Sequence, residues 1–128
     1  MTTILPTTLD FVSLQVRDRD RSRRFYTELL GFAPAPPANP AADVFADAAG
    51  AIFAVREPLR PLPDDGPLGI GVGLWFAVTG SIDDLHARFG EAGVTVVRPP
   101  FDTPFGRSLA VADPDGYVIT LHEATSDR

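Results

Sequence analysis

This chain of 128 residues has two histidines and no cysteine, so imidazole is scarce and thiolate is absent as a metal ligand or as a base. His86 falls inside a predicted helix, between Leu85 and Ala87, where we expect it to face solvent. His122 falls at the end of a predicted strand, two residues after Thr120, so both side chains share one strand face. His122 could contact a ligand or act as a base, or it could be a strand-end histidine without a chemical role.

The strand that carries His122 follows an Asp-Pro-Asp-Gly sequence at residues 113–116. Pro114 presets φ, Gly116 accepts a positive φ, and the aspartates can bond the local backbone. Apolar residues flank this turn, so residues 106–123 are predicted to form a hairpin of two buried strands.

An internal repeat organises the rest of the chain. The matching pairs are residues 11–16 with 73–78 and 31–32 with 93–94, both at an offset of 62, and 47–50 with 113–116 at an offset of 66. Each half therefore predicts a strand, a helix and three strands. Since neither half can cover its own sheet, we expect the two sheets to pair around a shared cleft.

The predicted elements follow from hydrophobic period, caps and breakers. In the first half they are a strand at 9–16, a helix capped by Asp18 or Asp20 and ending at Leu30, a loop or edge segment at 32–40, and strands at 44–46 and 51–55. In the second half they are a strand at 70–78, a helix capped by Ser81 and ended by Gly93, a strand at 94–98, a loop at 99–106 and the closing hairpin. We predict one domain, residues 1–128, with module one at about 7–57, a Pro-rich linker at about 57–69 and module two at about 70–124.

Composition restricts the possible partners. The net charge of −6 argues against nucleic acid and mildly favours cationic or neutral ligands. No apolar run is long enough to span a membrane and no secretion signal is seen, so a cytoplasmic location is expected. The arginine-rich first helix is interpreted as a solvated face, with a protein-binding face as the alternative.

The order and spacing of these motifs resemble the vicinal oxygen chelate superfamily, which includes glyoxalase I, extradiol dioxygenases and bleomycin-resistance proteins. The residues that carry the resemblance are Asp18 with Ser22, Phe25-Tyr26, Leu30-Gly31-Phe32, Phe105-Gly106-Arg107 and Asp113-Pro114-Asp115-Gly116. The resemblance implies an α+β fold in which two βαβββ modules form a curved sheet with a cleft.

Enzymes of that superfamily usually hold a divalent metal through His, Glu or Gln on four strands. By alignment on the motifs, the four positions fall on Phe11, on Ala54 or Val55, on Gly73 and on Thr120. None is a normal ligand, since phenylalanine and glycine cannot coordinate through a side chain. We therefore expect no metal and no cofactor.

The residues in phase with those positions are mostly apolar and aromatic, which suits a flat organic ligand. The predicted ligand-binding residues are Phe11, Ser13, Phe45, Phe53, Trp75, Phe101, Phe105, Thr120 and His122. The alternative for Trp75 and Phe53 is that they only fill the core.

Relatives without metal ligands sequester antibiotics as homodimers with sites between subunits, which makes sequestration of an aromatic antibiotic the first hypothesis. The second is a superfamily enzyme, of lyase, isomerase or dioxygenase type, acting on a small organic substrate. The third is a regulatory or scaffold module that binds a protein. The sequence leaves open whether modules pair within a chain or are swapped between chains.

Overall fold

The computed structural model describes residues 5–36, 40–46, 50 and 52–124. The chain divides into two compact units, Met1–Pro61 and Leu62–Arg128, and each holds one four-stranded mixed sheet. Both units have the order strand, helix, three strands, so the predicted α+β fold with two βαβββ modules is confirmed. Over these described ranges, no helix is both long and apolar enough to cross a membrane.

The first unit contains β1 (Phe11–Gln15), α1 (Arg19–Arg24), β2 (Ala33–Ala35), β3 (Ala42–Ala46) and β4 (Ile52–Arg56). Its strand order is β1-β4-β3-β2, with β1 parallel to β4 and the other pairs antiparallel. The side chain of Asp18 accepts a hydrogen bond from the Arg21 N–H at 3.1 Å, which makes Asp18 rather than Asp20 the N-cap. A π-helical turn, Phe25–Leu29, continues α1. The predicted turn at 47–50 lies outside the described residues except for Gly50.

Three aromatic rings form the core between the helical segment and the sheet of the first unit. The Tyr26 ring centroid lies 5.8 Å from that of Phe45 and 5.2 Å from that of Phe53, and all three side chains are buried. In the register of β1 and β4, Val12 is opposite Phe53 and Phe11 is opposite Ile52. Phe53 and its β3 neighbour Phe45 therefore lie on the sheet face opposite to Phe11. The expectation that Phe53 shares the face of Phe11 is wrong, because its ring packs beside Tyr26. Phe45, which was expected to add a wall to the site, lies in the same aromatic core.

The second unit repeats this plan with β5 (Gly73–Val78), α2 (Ile82–Ala92), β6 (Thr95–Thr103), β7 (Gly106–Ala112) and β8 (Val118–Glu123). Its strand order, β5-β8-β7-β6, is equivalent to that of the first unit. The Ser81 Oγ accepts the Asp84 N–H at 3.2 Å at the start of α2, and Gly93, with φ of 76°, ends it.

Two predicted boundaries in the second unit are wrong. Strand β5 begins at Gly73 rather than at residue 70. Strand β6 continues through Pro99 and Pro100 to Thr103, where a loop was expected. Proline lacks the N–H that a central strand needs, but β6 is an outermost strand of its sheet and tolerates that loss.

Candidate functional site

The sheet of the second unit has one face toward α2 and an opposite face, which we call the open face. The carboxylate of Glu123 in β8 accepts the Ile82 N–H of α2 at 2.9 Å, which assigns Glu123 and its alternates in β8 to the helix side. His122 and Thr120 therefore belong to the open face. One row of opposed residues crosses this face from β5 to β6 in the order Trp75, Thr120, Ala110, Arg98.

Two large aromatic side chains remain half exposed on the open face. Trp75 is 50% exposed and Phe105 is 53% exposed, and their rings meet edge to face with centroids 6.0 Å apart. The ring of His122 lies 6.1 Å from that of Trp75. About half of each ring is nevertheless left uncovered, and exposed aromatic area of this kind is typical of a binding surface.

The turn that carries Phe105 is held in place by hydrogen bonds. The Thr103 Oγ1 donates to the Gly106 carbonyl at 2.7 Å and accepts the Phe105 N–H at 3.1 Å. The Phe105 carbonyl lies 3.1 Å from Nδ1 of His122. Because a carbonyl oxygen only accepts, Nδ1 carries the hydrogen and the neutral ring has its lone pair on Nε2. The Phe105 ring is thus presented from a fixed backbone rather than from a loose loop.

Small side chains separate the aromatic end of the open face from β6. Ala110 is 6% exposed, Thr120 5% and Ser108 0%. Between Trp75 on one side and β6 on the other, these residues form a low floor with two hydroxyl groups. At 6% exposure or less, these three side chains are almost entirely covered by their neighbours, so the area that a flat ring system can contact is that of Trp75 and Phe105.

Two irregularities in the pairing of β6 with β7 shape the far end of the open face. Val96 is opposite Val111, but Arg98 is opposite Ala110 and Phe101 is opposite Ser108. Each shift inserts an extra residue into β6, which is the definition of a bulge. As a result, Arg98 and Phe101 both lie on the open face, and the Arg98 guanidinium carbon lies 3.7 Å from the centroid of the Phe101 ring.

The predicted site residues fall into three groups. Trp75, Phe101, Phe105, Thr120 and His122 come together on the open face of the second unit. The other predicted residues belong to the first unit: Phe11 (43% exposed) and Ser13 lie on the sheet face away from Tyr26, and Phe45 and Phe53 lie in the core.

The residues at the four family metal positions do not fit a metal. Ala54 is opposite Ser13 and so shares its face, whereas Val55 lies on the core side, which settles that position on Ala54. The set is then Phe11, Ala54, Gly73 and Thr120, which offers one hydroxyl and no imidazole or carboxylate. In the part of the chain that the structure describes, no group of three or more His, Asp or Glu side chains is close enough to hold a metal ion.

The strongest charge pairing in the second unit lies on the helix side of the sheet. Arg107 donates to both carboxylate oxygens of Asp83, at 2.9 and 3.0 Å, and to Asp102 at 3.2 Å. The hydrogen bond from Arg107 lowers the pKa of Asp83 below its ordinary value. These groups join α2 to β6 and β7 and leave the open face unaffected.

Arg98 is the open-face residue that the sequence analysis missed. Its position beside two prolines was interpreted as the end of a strand before a loop. The run Val-Val-Arg-Pro-Pro-Phe could have indicated an irregular edge strand, since proline in a strand is found at edges and bulges. The direction of the Arg98 side chain depends on the pairing of β6 with β7, and the sequence around Arg98 does not show that pairing.

Comparison with known proteins agrees with this architecture. A sequence profile described as the Glyoxalase/Bleomycin resistance protein/Dioxygenase superfamily matches residues 8–121. No protein with a curated description matches the sequence.

Solved structures with the same fold align with this chain over nearly its full length. A glyoxalase/dioxygenase from Nostoc punctiforme aligns with a TM-score of 0.77 at 20% identity, covering 98% of this chain and 99% of that one. A glyoxylase/bleomycin resistance protein/dioxygenase domain from a Frankia species aligns with a TM-score of 0.70 at 28% identity, covering 93% and 98%. TnmS3, an antibiotic binding protein from a Streptomyces species, aligns with a TM-score of 0.73 at 25% identity, covering 96% and 100%.

Proposed function

The chain belongs to the glyoxalase/bleomycin resistance protein/dioxygenase superfamily, and from that premise we propose that it binds and sequesters an aromatic small molecule without transforming it. The ligand class that fits is a flat, largely apolar ring system of the kind found in natural-product antibiotics. The biological role is then self-resistance, because a bound drug cannot reach its target.

The observation that carries this proposal is the exposed pair of Trp75 and Phe105. Both rings are about half exposed, and both stand beside a floor of small side chains. A ring laid against either one would bury apolar area and gain an aromatic contact worth about 0.5–1.5 kcal/mol beyond that area. The poor metal donor set supports binding over metal-dependent chemistry, since the Lewis acid would have no ligands.

The resemblance to TnmS3 supports the same proposal. That protein is an antibiotic binding protein, and it is similar to this chain over nearly the full length of both. The homodimer with sites between subunits belongs to the proposal as well, and analytical ultracentrifugation tests it. A monomer at micromolar concentration that still binds ligand would remove the dimer from the proposal.

A second candidate, a metal-independent superfamily enzyme, is favoured by one observation. Nδ1 of His122 is held by the Phe105 carbonyl at 3.1 Å, so Nε2 of the neutral ring can accept a proton from a substrate. Proton abstraction from a carbon next to a carbonyl would suit an isomerase or a lyase. Loss of turnover in His122→Asn, with ligand binding retained, would favour this candidate.

The test of sequestration uses Trp75, the one tryptophan of the chain, as the reporter. Its fluorescence is titrated with a panel of aromatic antibiotics, including bleomycin, mitomycin and enediyne-type compounds. The expected result is saturable quenching at micromolar concentration or below, with the compound recovered chemically unchanged by mass spectrometry.

Variants connect the binding to the site. Phe105→Leu keeps apolar bulk but removes the ring, and we expect the Kd to rise about 2- to 13-fold, from 0.5–1.5 kcal/mol of aromatic contact. Leu59→Ala is the control, because Leu59 is a 67% exposed apolar residue that belongs to none of the strands that form the open face. An unchanged fluorescence with every compound would refute sequestration at this face, and recovery of a modified compound would favour the enzyme.

A further inference from the structure

Among the residues that the structure describes in β5, β6, β7 and β8, Arg98 is the one arginine or carboxylate residue on the open face. The row from β5 to β6 ends at Arg98, three strands away from Trp75. At a strand spacing of about 4.8 Å, the backbone positions of these two residues are about 14 Å apart. That span matches a ligand of three or four fused rings, with an aromatic contact at one end and a cation at the other.

The bulges in β6 are the reason that Arg98 faces this way. In regular pairing, Arg98 would share the face of Val96, which is opposite Val111 on the helix side. The first bulge turns Arg98 to the open face, and the second brings Phe101 to the same face. Bulges are enriched next to functional sites, where they redirect a side chain.

The Phe101 ring holds the guanidinium without using its hydrogen-bond donors. The guanidinium carbon lies over the ring, 3.7 Å from its centroid, and because the ring face is not a conventional hydrogen-bond acceptor, the N–H groups remain for another partner. A planar guanidinium held in this way is suited to binding a carboxylate or a similar oxygen pair. In the chain segments that the structure describes, no carboxylate is paired with Arg98.

Carboxylates on the same four strands are directed elsewhere. These strands contain two, Asp102 and Glu123. Asp102 is opposite Arg107 and is paired with it at 3.2 Å, while Glu123 bonds the N-terminus of α2. The open face is thus locally cationic although the chain carries a net charge of −6.

We propose that Arg98 is a specificity-determining residue that binds a negatively charged oxygen on the aromatic ligand. The inference rests on the proposed binding function and narrows the ligand to a flat ring system with a carboxylate or an ionised hydroxyl group at the end opposite to its stacking end. It reverses the expectation of a cationic or neutral ligand, which came from the net charge alone.

The test compares two probes of the same shape, anthracene-2-carboxylate and anthracene-2-carboxamide, by Trp75 fluorescence and by calorimetry at 0.15 M salt. The carboxylate is expected to bind about tenfold or more tightly than the amide, as for one charge-assisted hydrogen bond. Arg98→Gln should abolish the preference while leaving the affinity for the amide within about twofold. Arg98→Lys keeps the charge but loses the stacked planar group, so only a part of the preference should remain.

Arg88→Gln is the matched control, since Arg88 is an exposed residue of α2 and gives the same change in net charge. A loss of preference in this variant would assign the effect to general electrostatic attraction and overturn the inference. Equal affinities of the native protein for the two probes would also overturn it, while leaving the binding function intact. If neither probe changes the fluorescence or releases heat, the binding function itself fails. The comparison of the two probes with the native protein tests the inference even if Arg98→Gln does not fold.

Discussion

Replacement of Asp113 by alanine is expected to lower the stability of the second unit by about 2–6 kcal/mol. Asp113 is 4% exposed, and its Oδ1 accepts the backbone N–H of Asp115 at 2.9 Å and of Tyr117 at 3.0 Å. Alanine leaves both donors without this acceptor, and each buried donor left unpaired costs about 1–3 kcal/mol. Asp113→Asn keeps an acceptor oxygen in the same place, so it should cost at least about 1.5 kcal/mol less than alanine.

The assay is urea unfolding followed by far-ultraviolet circular dichroism, combined with hydrogen exchange at single amides. In the native protein the amides of Asp115 and Tyr117 should be protected against hydrogen exchange. In the alanine variant these two amides should lose their protection before the other amides of the second unit do. A fall of less than about 0.5 kcal/mol in Asp113→Ala would refute the reasoning, and so would an asparagine variant as unstable as the alanine variant. Because the turn leads into β8, the loss should also lower the affinity for any ligand that needs Thr120 or His122.

Two further predictions concern the backbone and the surface charges. Gly116→Ala should lower the free energy of unfolding by about 1–3 kcal/mol more than Gly31→Ala does. Both glycines have a positive φ, but of the two only Gly116 has a neighbour that an added Cβ would meet, at 2.6 Å from Cβ of Pro67. Equal melting temperatures of the two variants would contradict this. The pKa of Asp83 lies below its ordinary value because Arg107 donates to its carboxylate. The ion pair therefore stabilises the fold at a pH above the pKa that Asp83 has in the unfolded chain. This stabilisation is lost as the pH falls through the lower pKa that Asp83 has in the folded protein. The stability difference between the native protein and Arg107→Gln should therefore shrink between pH 5 and pH 2, and a difference independent of pH would exclude the pair as its source.

The repeat explains how the fold could be predicted from the sequence. The offset that matches residues 11–16 to 73–78 pairs β1 with β5, although the predicted strands, 9–16 and 70–78, begin two and three residues before Phe11 and Gly73. Ser81 and Gly93 mark α2 correctly as well, because capping and a left-handed C-terminal glycine are local chemistry. These features need only neighbouring residues, which the sequence contains.

The phase of β4 could not be predicted in the same way. Its apolar residues occupy both faces, so alternation does not distinguish Phe53 from its neighbours, and a shift of one residue reverses the face. What decides the phase is the fit of Phe53 beside Tyr26, a contact between residues 27 positions apart in the chain. The face on which Arg98 lies could not be predicted for a related reason, since it is set by the bulged pairing of β6 with β7.

The consecutive prolines of β6 also affect how strongly the protein aggregates at high concentration. Pro99 and Pro100 lie in an outermost strand, where one of the two missing N–H groups would point outward, because successive N–H groups alternate sides, and two bulges break the regular pairing. An extended segment of another chain finds no continuous row of donors there, so growth of the sheet by strand addition is blocked at this strand. Under the proposed sequestration, each site holds one drug molecule without turnover, so the protein has to accumulate to the concentration of the drug. Resistance to aggregation at this strand would then be a condition for protection in the cell.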